Sequence, residues 1–277
     1  MKRIAFFGGS FDPPHRGHLA VARAAADDFA LDAVLFAPVG RQPLKNRQDP
    51  TPFIHRYAMT TLATQADARF VPSLADAPRG ESPGSRLNYT PNYTVDTLQE
   101  IHADLRRRGE PYHLFTLLGA DSWLDIARWR RAPELLTLCD WIVAARPGFS
   151  LSEAAAALPP EVPFEQAEDA RGRRLILHPG VHGQPGGSAP ATCVWFLAHT
   201  QENISATELR AALRALDAEP ASLPPPNATA PSPRPQVEPG FAELLPPGVL
   251  AYLRKTRLYC SPGAPNPVGA EQIPGTV

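Results

Sequence analysis

Short apolar runs alternate along the first half of the chain with longer stretches whose apolar residues recur every three or four positions. Arg3–Phe7 is one such run and closes on Gly8-Gly9, a pattern that suits a strand buried on both faces. His18–Phe29 then reads as a helix, with Leu19, Ala22, Ala26 and Phe29 on one stripe. Ala33–Ala37 is a second strand ended by Pro38. Phe53–Gln65 is a helix with Ile54, Tyr57, Ala58, Thr61 and Leu62 on one side. Arg69–Pro72 is a third strand, and Tyr93–Arg108 a helix with Val95, Leu98, Ile101 and Leu105 aligned. His113–Leu118 is a strand ending at Gly119, a helical stretch runs on through Leu138, and Trp141–Ala145 and Cys193–Ala198 are further strands. This alternation predicts an α/β fold: a Rossmann-like, doubly wound, mostly parallel sheet with helices on both faces and a small C-terminal helical part.

The regular pattern breaks in three places. Ala77–Pro91 is rich in Gly, Pro and Ser and reads as a loop. Residues 150–191 offer only an Ala-rich helical piece at Ser152–Leu158, a strand candidate at Arg174–Leu177 and a Gly/Pro loop. Residues 219–240 are dense in proline and include Pro224-Pro225-Pro226, which excludes a helix interior or a central strand. That stretch is expected to be a disordered insertion. Pro246–Arg257 resumes as a helix with its prolines at the start, where they are tolerated. The expected organisation is a single domain over 1–259 and a flexible tail over 260–277.

Composition narrows the function. A hydrophobic fraction of 43% in 277 residues suffices for a sizeable core. The net charge of -1 creates no global field that would draw the chain to nucleic acid or to an anionic membrane. Cys139, Cys193 and Cys260 show neither metal spacing nor a disulfide framework and read as reduced thiols. No secretory signal or membrane span is legible, so a cytoplasmic location is expected.

The candidate chemistry begins where the first strand hands over to the first helix, at Gly8-Gly9-Ser10-Phe11-Asp12-Pro13-Pro14-His15-Arg16-Gly17-His18. In open α/β sheets ligands bind beyond the carboxyl ends of the strands. Gly8 and Gly9 let backbone N–H groups approach phosphate oxygens, and the helix start adds partial positive charge. His15 and His18 are spaced so that both imidazoles face one point. Two donors aimed at one phosphorus stabilise the charge that grows there during displacement, on the order of 3 kcal/mol each. A second cluster, Ile204-Ser205-Ala206-Thr207-Glu208-Leu209-Arg210, opens a late helix through an S-x-x-E capping box. Ser205, Thr207 and Arg210 there make a good polyphosphate site.

The first segment resembles the signature of the HxGH nucleotidyltransferase superfamily, and the second its I-S-S-T-x-[IL]-R motif, with Ala206 in place of the second Ser. Further segments resemble the bacterial nicotinate-nucleotide adenylyltransferases. They are Pro43-Leu44-Lys45, Pro91-Asn92-Tyr93-Thr94-Val95-Asp96-Thr97-Leu98, Gly119-Ala120-Asp121-Ser122 with Arg128-Trp129-Arg130, and Leu245–Leu253. Trp123 stands where that family has a smaller apolar residue. The resemblance implies AMP transfer from ATP to nicotinate mononucleotide, with Mg2+ accompanying ATP and no protein metal cage. It implies that His15 and His18 are catalytic at the α-phosphate and that Gly8, Gly9, Ser10 and Phe11 contact phosphates or acceptor. Asp121 would bind the adenosine ribose, and Ser205, Thr207 and Arg210 the β- and γ-phosphates. Lys45, Tyr93, Thr94 and Trp129 would bind the acceptor. Asp12 is the only nearby carboxylate to watch for the metal. The sequence is compatible with a homo-oligomer. The same chemistry on nicotinamide mononucleotide or phosphopantetheine stays open, as does a non-catalytic nucleotide-binding regulatory module, which has no need of two histidines at one phosphorus. A tRNA-linked enzyme of the class I synthetase kind is disfavoured, because no K-M-S-K-S-like loop and no basic excess is present.

Overall fold

The computed structural model describes residues 1–41, 50–79, 91–145, 148–169, 172–178, 191–197, 204–217 and 239–259. Its centre is one sheet in the order β3-β2-β1-β4-β5-β8-β7-β6. Strands β1 (Lys2–Gly9), β2 (Ala33–Pro38), β3 (Phe70–Pro72), β4 (Tyr112–Gly119), β5 (Asp140–Ala144) and β8 (Thr192–Leu197) run parallel. Strands β6 (Phe164–Asp169) and β7 (Gly172–Leu177) extend the sheet antiparallel beyond β8. The expectation of a doubly wound, mostly parallel sheet holds.

Alternation along the strands sorts the core into two layers. Ala5 and Phe7 of β1, Phe115 and Leu117 of β4 and Ile142 of β5 face one layer. Ile4, Phe6, Leu114, Leu118, Trp141 and Val143 face the other. The first layer is covered by α1 (Arg16–Asp28), α2 (Phe53–Thr64), α7 (Ala206–Asp217) and α8 (Pro247–Thr256), through residues such as Ala22, Met59, Leu209 and Val249. The second is covered by α3 (Thr94–Arg108), α4 (Ala120–Leu124), α5 (Ala132–Leu135) and α6 (Leu151–Ala156). A helix from each end of the chain thus lies on the same face of β1.

Several expectations change in detail. The stripe read on α2 is not its buried face: Arg56, Met59, Thr60, Ala63 and Thr64 are buried, and Ile54 is 68% exposed. Polar side chains can occupy a buried face when backbone carbonyls satisfy them. Thr60 Oγ1 donates to the Arg56 carbonyl at 2.8 Å and Thr64 Oγ1 to that of Thr60 at 3.0 Å. The helical stretch toward Leu138 breaks into α4, a 3-10 turn at Ile126–Arg128 and α5, because Trp129 is extended and Arg131 is left-handed at φ 54. Strand β6 has no counterpart in the sequence reading. It is an edge strand whose side chains are almost all exposed, so no buried face imprints a period of two; its Glu165, Glu168 and Asp169 guard the open edge.

Within the expected proline-rich insertion, residues 219–238 lie outside the described residues, while Pro239–Leu244 forms a 3-10 turn ahead of α8. Residues 80–90 of the Gly/Pro/Ser loop, Lys45 and the tail over 260–277 also lie outside them. Cys139 and Cys193 are free thiols. Among the described residues no helix is long and apolar enough to cross a membrane.

Candidate active site

Because six neighbouring strands, β3 to β8 in the sheet order, are parallel, their carboxyl ends share one edge. The strand order reverses between β1 and β4, where a crevice forms at such an edge. The turn after β1 fills this position. A Cβ at Gly8 would lie 2.9 Å from the Phe6 ring, so a side chain there would displace it. Phe11 adopts a left-handed backbone at φ 47, a cost of about 1–2 kcal/mol for a residue with a Cβ. Its buried ring, packed edge-on to Phe7 at 5.4 Å and against Phe36 at 5.6 Å, offsets that cost.

His15 is the N-cap of α1, and His18 stands at its third position. The backbone N–H of His15 donates to His18 Nδ1 at 3.2 Å, the reach-back arm of a capping box supplied by an imidazole. Since Nδ1 accepts, the neutral His18 ring carries its proton on Nε2. The two rings lie 3.7 Å apart, tilted by 32°. Burial lowers His15 to about 4 and, with the neighbouring His15, holds His18 well below the ordinary histidine value. Both are therefore neutral at pH 7, each with a single N–H to offer. The His15 Nδ1 is buried and meets no hydrogen-bond partner among the described residues.

The second cluster arrives from α7. Ser205 Oγ accepts the Glu208 N–H at 3.4 Å, consistent with the expected cap. Arg210 donates to Thr207 Oγ1 at 3.2 Å and to the carbonyl oxygen of Asp12 at 2.6 Å. This last bond joins α7 to the turn after β1 across 198 residues of sequence.

The other expected residues, apart from Lys45, lie on three further segments. Asp121 lies exposed in the first turn of α4, directly after β4. Tyr93 is the N-cap of α3, with the Arg130 guanidinium 4.5 Å above its ring, and Thr94 is the first helical residue. Trp129 is half-buried after the 3-10 turn. Trp123 belongs to the core: it is fully buried, donates to the Ala154 carbonyl at 2.9 Å and meets Trp141 edge-on.

Three residues that brace the turn escaped the sequence reading. Arg56 is 1% exposed and donates to the carbonyls of Thr51 at 2.8 Å, Ser10 at 2.9 Å and Gly40 at 3.4 Å. Tyr259, at the described end of the chain, donates to Asp12 Oδ1 at 2.5 Å. Gly40 carries no side chain because a Cβ there would come within 2.6 Å of Asn92 Oδ1 and the Pro78 backbone. A lone Arg in a helix that otherwise reads as amphipathic is the only signal that could have pointed to the first. Asp12 itself is structural: Oδ2 accepts the Thr51 N–H at 3.2 Å and Oδ1 the Tyr259 hydroxyl.

Residues 6–212 match the cytidylyltransferase-like family. The chain belongs to that family. This membership makes it a nucleotidyltransferase. A Chromobacterium violaceum protein named probable nicotinate-nucleotide adenylyltransferase is 36% identical over 258 residues, which is 93% of this chain and 98% of that protein. A protein of the same name from Acidothermus cellulolyticus is 41% identical over 161 residues, 57% of this chain and 72% of its own. The fold resembles the Plasmodium falciparum nicotinic acid mononucleotide adenylyltransferase, solved in complexes with APC and with NaAD. The TM-score is 0.57 at 16% identity, over 94% of this chain and 98% of that one.

Proposed function

We propose that this chain transfers AMP from ATP to nicotinate mononucleotide in the cytoplasm, releasing pyrophosphate and forming nicotinate adenine dinucleotide. The observation that carries the reading is the bond from Arg210 to the Asp12 carbonyl, which brings the late polyphosphate cluster against the turn that holds His15 and His18. The relatives named for this activity support the choice of acceptor.

The acceptor's phosphate oxygen attacks the α-phosphorus in line and the bond to the bridging oxygen of pyrophosphate breaks. That phosphate is already ionised at pH 7, so no general base is required. The protein's part is positioning and stabilising charge. Neutral His15 and His18 donate N–H groups to the α-phosphate. Gly8, Gly9, Ser10 and Phe11 offer backbone groups to phosphates or acceptor, Asp121 holds the adenosine ribose, and Ser205, Thr207 and Arg210 hold the β- and γ-phosphates. Lys45, Tyr93, Thr94 and Trp129 form the acceptor side.

Mg2+ accompanying ATP would supply further charge neutralisation at the phosphates. Such an ion would be held mainly by phosphate oxygens and water, and each Asp12 oxygen already accepts a hydrogen bond within the protein. Incubation with ATP, Mg2+ and nicotinate mononucleotide, nicotinamide mononucleotide or phosphopantetheine in turn, with pyrophosphate release as the readout, tests the reading. Turnover is expected with the first acceptor, and its absence with all three defeats the assignment.

A further inference from the structure

A second cluster of buried polar groups lies beside the nucleotide turn, where three segments meet. The backbone N–H of Gly40, just past β2, donates to the carbonyl of Asp76 at 2.7 Å. Asn92, which directly precedes Tyr93, pairs with Arg41 in both directions: its N–H donates to the Arg41 carbonyl at 3.1 Å, and its Oδ1 accepts the Arg41 N–H at 3.2 Å. Its Nδ2 donates to the Ala77 carbonyl at 2.8 Å. Asp76 Oδ1 accepts the Thr97 hydroxyl of α3 at 2.8 Å. Asp76, Asn92 and Thr97 are 5%, 4% and 0% exposed. The bare Cα of Gly40 shows how closely these segments press together.

We propose that Asp76 and Asn92 form a latch that sets the geometry of the acceptor subsite, with Asp76 as a positioning residue that holds the Tyr93–Thr94 end of α3 against the Gly40–Arg41 strand exit. The inference rests on the proposed role of Tyr93 and Thr94 in holding the acceptor. An ionised Asp76 accepts strongly from Thr97, whereas a protonated one loses much of that bond and loosens the latch. Burial raises the Asp76 carboxyl to about 6, opposed by the Thr97 hydroxyl, the Arg79 guanidinium and the Asn92 amide, and helped by Glu100. Arg56 of α2 also acts on it electrostatically. Arg79 is itself paired with Glu100 at 2.7 Å. The latch therefore tightens as pH rises through about 6.

The test is steady-state kinetics of the full chain with ATP, Mg2+ and nicotinate mononucleotide between pH 5.5 and 8, comparing the parent with Asp76→Asn. The acceptor's own phosphate titrates in this range but does so identically for both proteins. At pH 8 the variant's KM for nicotinate mononucleotide should rise about five- to tenfold, the effect of one lost charge-assisted hydrogen bond, with the KM for ATP within twofold. The two acceptor profiles should draw together as pH falls, the offset shrinking to about two- to threefold at pH 5.5, where about a quarter of Asp76 is still ionised. A parallel offset at every pH, an equal rise in both KM values, or an unchanged acceptor KM overturns the latch. If Asp76→Asn does not fold, the nearly isosteric Thr97→Val should give the same acceptor-selective rise and Thr97→Ser should restore it; failure of that pair overturns the proposal equally. No turnover by the parent refutes the acceptor reading and the latch together, while turnover with an unshifted variant refutes the latch alone.

Discussion

His18 offers a perturbation in which two roles of one ring can be separated. Its Nδ1 accepts the His15 backbone N–H, and its Nε2–H is the donor assigned to the α-phosphate. His18→Ala removes both. Loss of one preorganised donor at the reacting phosphorus should lower kcat about 100- to 1000-fold. Loss of the cap arm, together with the packing of a ring 3.7 Å from His15 and 5.0 Å from Phe11, should cost about 1–2 kcal/mol of stability, or a fall of a few degrees in Tm. Asn and Gln divide the two functions, because Asn Oδ1 falls near the position of Nδ1 and Gln Nε2 near that of the ring Nε2. His18→Asn should recover Tm with kcat still depressed at least about 100-fold, and His18→Gln should recover part of kcat with little gain in Tm. Single-turnover rates with ATP and nicotinate mononucleotide, alongside thermal unfolding, read the two axes. A kcat for His18→Ala within a few-fold of the parent, or full recovery of kcat in His18→Asn, would refute the donor role.

Arg210→Ala should raise the KM for ATP about tenfold or more while leaving the KM for the acceptor within a few-fold, and an unchanged ATP KM removes its phosphate role. Tyr259→Phe keeps the ring but removes the hydroxyl that donates to Asp12, so denaturant unfolding should show a loss of about 1 kcal/mol; no loss would mean that the bond does not brace the turn. The lowered pKa of His15, about 4 against 6.5, means that between those values the unfolded chain binds a proton the folded one refuses. Its contribution to stability is complete above about pH 6.5 and is lost as pH falls toward 4, by at most about 3 kcal/mol. The parent should consequently lose more stability than His15→Gln between pH 7 and 4.5, measured by urea midpoints, and the opposite order would contradict the buried, neutral ring.

Local order did determine much of this protein. A strand buried on both faces must be apolar throughout, so β1, β2, β4 and β5 were legible as runs. The glycine turn and the Ser205 cap of α7 were legible because each depends only on residues a few positions apart. The candidate site could be approached from those two segments, since the nucleotide turn and the start of α7 carry their chemistry in contiguous residues. Tertiary structure alone decided how the distant segments meet. The contact of Arg210 with the Asp12 carbonyl depends on α1 and α7 sharing one face of the sheet, and that of Tyr259 with the Asp12 carboxylate on where α8 ends. Arg56, Thr60 and Thr64 are buried on partners that are backbone carbonyls, to which a hydrophobicity pattern is blind, and for that reason the wrong stripe of α2 stood out in sequence. Asp76 and Asn92 were hidden for the same cause: a buried polar side chain looks like a loop residue until the folded backbone brings it a partner.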